Sequence, residues 1–201
     1  MGIMTELLPF LQRHFDKLQD RLVCFCEMGV QVESWFKGEL LTLLSSLQEQ
    51  NLVEHLDREV KTPGGKVDLT INTKSKQHWV ELKHWLIGEQ KGSTYDCGFY
   101  FGDCSPIGLV PDVDKLMSVT SPACLWLLIL FTANPGKEGW LAGVDKFNRK
   151  FAPRRLISQS KPEFFPSSYF VGLLEVCRDN VQDVDRAQYD STLKPSFSPF
   201  S

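Results

Sequence analysis

Three charged residues stand among apolar neighbours in two adjacent segments of the chain. Asp68 lies in KVDLTIN (66–72), and after twelve intervening residues Glu81 and Lys83 lie in HWVELKHW (78–85). Two carboxylates held close together repel each other unless a positive charge lies between them. A lysine supplies part of that charge, and a hard divalent cation with oxygen ligands, such as Mg²⁺ or Mn²⁺, supplies more. The residue types therefore indicate a metal site.

The alternation of polar and apolar residues predicts that both segments are β-strands joined as a hairpin. Side chains alternate between the two faces of a strand, so the charged and apolar residues are expected on opposite faces. Asp68, Glu81 and Lys83 then converge on one face. The apolar residues expected on the other face are Val67, Leu69, Ile71, Val80 and Leu82.

A helix predicted at 33–50 precedes the strands and offers a further carboxylate. Its apolar stripe consists of Phe36, Leu40, Leu43, Leu44 and Leu47. At about 100° per residue, Glu33 deviates from the mean direction of this stripe by about 35° and Glu39 by about 85°. We therefore expect Glu33 to face the sheet, with Glu39 as the alternative. A glutamate in the first turn of a helix is also favoured by the helix dipole alone.

An aspartate on one strand followed by Glu-x-Lys on the next resembles the signature of the PD-(D/E)XK nuclease superfamily. The matching residues are Asp68 in VDL and Glu81 and Lys83 in ELK, while Val67 stands where the signature has proline. The resemblance implies a restriction-endonuclease-like fold and hydrolysis of phosphodiester bonds with Mg²⁺ or Mn²⁺. It also implies nucleic acid as the substrate, with DNA preferred over RNA, and it leaves a homodimer open.

The resemblance further implies a role for each residue. Asp68 and Glu81 would hold one or two divalent ions, with the backbone carbonyl of Leu82 as a further ligand. Lys83 would position or deprotonate the attacking water, or neutralise charge at the scissile phosphate. Glu33 would orient a water molecule or Lys83.

Lys61 and Lys66 flank the hairpin and are expected to contact phosphates of the nucleic acid, although lysines near turns are often only solvated. The chain has 22 basic and 25 acidic residues and a net charge of −3. This charge argues against a protein that coats nucleic acid through bulk positive charge. It favours the competing hypothesis, a catalytically inactive nuclease-fold module that binds nucleic acid or a protein. The presence of all three motif residues favours the enzyme.

The elements that must position these residues are expected to form one α/β domain at 1–190, with a central mixed β-sheet flanked by helices. An N-terminal helix is predicted at 5–25, the core at 33–178, and a flexible Pro/Ser-rich tail at 191–201. The segment 89–108 is expected to be an irregular connection. Further helices are predicted at 110–119 and 138–151, and further strands at 52–62, 123–133 and 167–177.

Localisation and cysteine usage follow from what the sequence lacks. It shows no secretory signal, and its longest apolar run, ACLWLLILF (123–131), has the length of a strand rather than of a membrane span. We therefore expect a cytoplasmic protein with no membrane partner. The six cysteines do not show paired C-x-x-C spacing, so a zinc site is not expected.

Overall fold

The structure is a computed structural model that describes residues 3–28, 32–86, 88–90, 93–95, 97–102, 108–133, 135–161 and 169–178. The helices α1–α6 are Ile3–Asp16, Gln19–Glu27, Glu33–Glu49, Cys97–Tyr100, Val110–Met117 and Gly136–Lys150. The strands β1–β8 are His55–Thr62, Gly65–Asn72, Gln77–Trp85, Gly88–Gln90, Ser93–Tyr95, Cys124–Phe131, Arg155–Ser158 and Phe170–Cys177. The predicted tail at 191–201 lies outside the described residues.

Six strands form one mixed sheet in the order β1-β2-β3-β6-β8-β7. Strands β3 and β6 are parallel, and the other neighbouring strands are antiparallel. A parallel pair needs a crossover connection, and here that connection carries α5 over one face of the sheet. The predicted α/β class, a central mixed sheet flanked by helices, is confirmed.

The sheet separates two apolar clusters. Helices α1, α2 and α3 contribute to the first cluster, and α4, α5 and α6 to the second. Strand β6 is buried along almost its whole length because it is covered on both faces, which explains its continuous apolar sequence. Its side chains alternate as a strand requires: Leu128 and Leu130 join the first cluster, whereas Leu127 and Ile129 join the second.

Three predicted features are corrected. The single helix expected at 5–25 is two helices, because the chain turns after Asp16 and the Leu18 amide donates to the Phe15 carbonyl at 2.9 Å. The segment 89–108, expected to be irregular, contains α4 and parts of the small sheet formed by β4 and β5. Strand β7 is missing from the prediction because its four residues, of which one is fully buried, give too short a pattern.

Helix α3 ends in a tight motif at Asn51, which has a left-handed φ of 58°. The amide of Asn51 donates to the carbonyl of Gln48 at 2.9 Å, and the amide of Leu52 donates to the carbonyl of Leu47 at 3.0 Å. These two bonds satisfy carbonyls that the end of a helix would otherwise leave without partners. The motif therefore fixes where α3 ends and where the chain turns towards β1.

Within the described ranges, no helix combines the length and the apolar character needed to cross a membrane.

Candidate functional site

The site lies where β2 and β3 separate. Their ladder ends at the pair Leu69–Val80, one residue before Asp68 and Glu81 would face each other. Beyond that point, side chains bond to backbone amides in place of the ladder. The Leu82 amide donates to Asp68 Oδ2 at 2.9 Å, and the Asp68 amide donates to Glu81 Oε2 at 3.3 Å. The gap between the strands therefore brings the two predicted carboxylates together.

A local distortion of β1 and β2 accompanies this gap. Glu59 lies opposite Asp68 and has a φ of 53°, a left-handed conformation that extended strand residues rarely adopt. Val67 packs in the second cluster, whereas Leu69 packs in the first. The prediction that Val67, Leu69 and Ile71 share one face is therefore wrong for Val67. Alternation is broken at Asp68, where the strand leaves its neighbour.

Glu81 is buried, with 5% of its surface exposed. Burial and the neighbouring Asp68 carboxylate raise the pKa of Glu81 to about 8, and the Lys115 ammonium opposes part of this rise. A carboxyl group in this position favours a cation at its oxygens, because a cation offsets both the lost hydration and the repulsion from Asp68.

Helix α3 contributes Lys37, which the sequence argument did not identify. Lys37 Nζ lies 2.8 Å from Asp68 Oδ1 and also contacts Glu59 Oε1. Burial lowers the pKa of Lys37, but the Asp68 and Glu59 carboxylates outweigh burial, so that this pKa is raised. Lys37 follows Glu33 by four residues, which places both on one helix face. The spacing could have predicted the face, but it does not reveal which residue of that face contacts Asp68.

The two helix acids considered from sequence have different surroundings. Glu33 is exposed in the first turn of α3, so it is not packed against the sheet, although it shares a helix face with Lys37. The start of α3 contacts β3 through a hydrogen bond in which the Val32 amide donates to His84 Nδ1 at 3.3 Å. Glu39 Oε2 lies 2.8 Å from His14 Nε2 and ties α3 to α1. Glu39 therefore has a structural partner away from Asp68.

Helix α5 contributes two further charged residues. Lys83 Nζ lies 2.9 Å from Asp112 Oδ2, and Lys115 Nζ contacts Glu81 Oε1 and lies 3.4 Å from Asp112 Oδ1. We name Glu81, Lys83, Asp112 and Lys115 the four-charge cluster. Asp112 and Lys115 were missed by the sequence argument. The sequence feature that could have identified them is their spacing of three residues within the short amphipathic helix α5, which places both on one face.

The predicted phosphate-binding lysines lie beside the site. Lys61 and Lys66 face each other across β1 and β2, and both are exposed. They lie two residues along their strands from Glu59 and Asp68, respectively. Like charges directly opposite in an antiparallel pair are destabilising, so an anion bound between them would be favoured.

The oxygen donors of Asp68 and Glu81, with the Leu82 carbonyl, fit Mg²⁺ or Mn²⁺. Such ions are commonly bound by one or two carboxylates, with water and phosphate oxygens in the remaining positions. In the part of the chain that the structure describes, no group of three or more His, Cys, Asp or Glu side chains converges on a common point.

Comparisons of this chain with models of protein families, with curated proteins and with solved structures find no match.

Proposed function

We propose that this chain is a metal-dependent nuclease of the PD-(D/E)XK type, with a restriction-endonuclease-like fold, that hydrolyses phosphodiester bonds of DNA. The observation that carries the proposal is the gap between β2 and β3, in which Asp68 and Glu81 lie together. A strand pair that served only for packing would continue its ladder and would keep such charges apart. Separated strands with two adjoining carboxylates favour a cation-binding function.

Asp68, Glu81 and the Leu82 carbonyl would hold Mg²⁺ or Mn²⁺. When bound, the ion would polarise the scissile phosphate and make water a stronger nucleophile. The Leu82 amide, bonded to Asp68 Oδ2, fixes the orientation of that carboxylate. This bond supports the proposal because ligand carboxylates need partners that hold them in place.

Lys83 would neutralise charge that develops on the phosphate or position the attacking water. Its ammonium lies 2.9 Å from Asp112 Oδ2 on α5, and it shares one face of β3 with Glu81. Lys61 and Lys66 would bind phosphates on either side of the scissile bond, as an exposed like-charge pair can. Glu33, exposed in the first turn of α3, would contact only a water molecule or substrate that enters from solvent.

The proposal is tested with the full chain in two assays. The first is calorimetric binding of Mn²⁺, and the second is cleavage of single- and double-stranded DNA and RNA with Mg²⁺ or Mn²⁺. We expect Asp68→Asn to remove Mn²⁺ binding and cleavage, and Lys83→Ala to remove cleavage while Mn²⁺ still binds. The matched controls Asp145→Asn and Lys137→Ala change exposed residues of α6 and should leave both assays unchanged. Undiminished cleavage by Asp68→Asn and by Lys83→Ala would contradict the assignment.

The second candidate is a module of the same fold that binds nucleic acid or a protein without cleaving. It is favoured by the lysines that already satisfy the carboxylates: Lys37 at Asp68 and Lys115 at Glu81. A module of this kind binds no Mn²⁺ and cleaves none of the four substrates. A folded wild-type chain that gives both negative results favours the module over the enzyme.

A further inference from the structure

Helix α5 carries a second acid–lysine pair, which faces the acid–lysine pair on β3. On the strand, Glu81 and Lys83 are two residues apart and share a face. On the helix, Asp112 and Lys115 are three residues apart and share a face. Each helix charge lies against the opposite charge of the strand, with Lys115 at Glu81 and Asp112 at Lys83. The charges of the four-charge cluster therefore alternate in sign along a chain of contacts that runs from Glu81 through Lys115 and Asp112 to Lys83.

Lys115 is the cation that lies between the two buried acids of the four-charge cluster. Glu81 and Asp112 are each 5% exposed, and buried carboxylates are tolerated only when they are paired. The Lys115 ammonium contacts Glu81 Oε1 and lies 3.4 Å from Asp112 Oδ1. A nuclease with two metal ions, which lie about 3.5–4 Å apart, holds the second ion in such a position between carboxylates.

Lys37 and Lys115 differ in whether they can leave their carboxylate. Lys37 has an exposed second partner, because 51% of the Glu59 side chain is open to solvent. Lys37 can therefore release Asp68 and keep a counter-ion. Lys115 lies between two buried carboxylates, and its release would leave Glu81 without its lysine, because Lys83 contacts Asp112 instead. A bound metal ion would thus displace Lys37 and leave Lys115 in place.

We propose that the Lys115 ammonium takes the place of a second metal ion, so that the site binds a single divalent cation, at Asp68 and Glu81. This inference rests on the proposed function and narrows it from one or two ions to one. Asp112 is then a positioning residue, because it holds both Lys115 and Lys83 without contacting the ion or the substrate.

The experiment counts Mn²⁺ ions bound to the full chain by calorimetry and records the electron paramagnetic resonance spectrum of the bound ions. We expect one ion per wild-type chain, with the spectrum of an isolated Mn²⁺. Lys115→Met should raise the count to two, with the broadened spectrum of neighbouring ions, because Glu81 and Asp112 lose the ammonium between them. Lys115→Arg keeps the charge and should keep one ion. Adding Asp112→Asn to Lys115→Met should return the count to one.

Circular dichroism establishes which variants are folded, and Lys115→Gln replaces Lys115→Met if the latter does not fold. Two ions in the wild-type chain overturn the inference, whatever the variants do, and leave the proposed metal site standing. One ion in a folded Lys115→Met or Lys115→Gln chain also overturns it. No ion in a folded wild-type chain overturns the proposed metal site itself, and the inference with it.

Discussion

Asp68, Glu81 and Lys83 could be singled out from sequence because a charged residue between apolar neighbours is a local pattern. A charged residue between apolar ones is anomalous whatever the rest of the fold does, and three such residues on adjoining strands are expected to converge. Lys37, Asp112 and Lys115 could not be identified in this way. Each lies on an amphipathic helix where a charged residue is ordinary, and its role depends on how the helix packs against the sheet.

The choice between Glu33 and Glu39 shows a second limit at the residue scale. The periodicity of α3 correctly gave its apolar stripe, of which Phe36, Leu40, Leu44 and Leu47 are buried. A helical angle places a side chain relative to the helix axis, but it does not say where along the sheet the side chain lies. Glu33 lies at the helix start and is exposed, while Glu39 meets His14 of another helix.

The partner of Glu39 leads to a prediction for the metal site. We expect Glu39→Gln to leave Mn²⁺ affinity unchanged, because its carboxylate binds His14 rather than any residue of the site. Asp68→Asn, matched to it in chemistry, should remove Mn²⁺ binding. Calorimetry on both variants measures the difference. Loss of binding in folded Glu39→Gln would place a ligand on the side of α3 that faces α1.

At the scale of elements, the ends of helices and strands were the least predictable features. The strand pair β2 and β3, helix α5 and strand β6 follow from continuous patterns, and the structure has them near the predicted bounds. The break between α1 and α2 does not interrupt the apolar periodicity, so the sequence pattern continues through it. Only the turn at Leu18, bonded to Phe15, marks the break.

The end of α3 allows a prediction about stability. Asn51→Ala should lower the free energy of unfolding by about 1 kcal/mol, because alanine has a strained Cβ at positive φ and lacks the short polar side chain with which asparagine tolerates this conformation. Asn51→Gly removes that strain and should leave this free energy unchanged or slightly raised. Denaturant unfolding of both variants measures the difference. Equal free energies of unfolding for the two variants would show that strain at the left-handed residue 51 does not affect the stability of the protein.

Strand β8 allows a second prediction at this scale. A methyl group added at Gly172 would overlap the ring of Trp140, which is fully buried against the sheet. We expect Gly172→Ala to lower the free energy of unfolding by about 1–3 kcal/mol, as overpacking does. Gly38→Ala is the matched control, because no atom lies within 4 Å of the added methyl group on α3. The control should raise stability by about 0.5–1 kcal/mol through helix propensity, so a loss in both variants would contradict the packing argument.

The whole molecule combines a small net negative charge with a local arrangement of lysines around its acids. The net charge of −3 argues against binding to nucleic acid through bulk charge. The net charge gives no information about Lys37, Lys83 and Lys115, which three separate elements place against the acidic residues. Composition therefore constrains the class of partner, whereas the site depends on the tertiary arrangement of the sheet and its two helix layers.

Two buried histidines give the whole molecule a predicted dependence on pH. Burial lowers the pKa of His78 and of His84 from 6.5 to about 4. The unfolded chain therefore binds more protons than the folded one between these values, and the stability contributed above pH 6.5 is lost as the pH falls towards 4. The free energy of unfolding should be lower at about pH 5 than at about pH 7.5, by about 1–2 kcal/mol for each histidine.

A variant separates this contribution from general acid denaturation. His78→Gln keeps an acceptor for the Trp126 indole, which lies 3.0 Å from His78 Nδ1, and it should reduce the loss of stability at low pH. An unchanged acid loss in His78→Gln would mean that His78 is not the group that takes up the proton.

Binding at the separated ends of β2 and β3 can also be followed by NMR spectroscopy at two backbone amides. The amide hydrogens of Leu82 and Asp68 are held by carboxylates rather than by the carbonyls of a partner strand. Their chemical shifts and hydrogen-exchange rates therefore depend on what else those carboxylates bind. A cation or a phosphate bound at the gap would be detected at two known backbone positions, without an added probe group and without turnover.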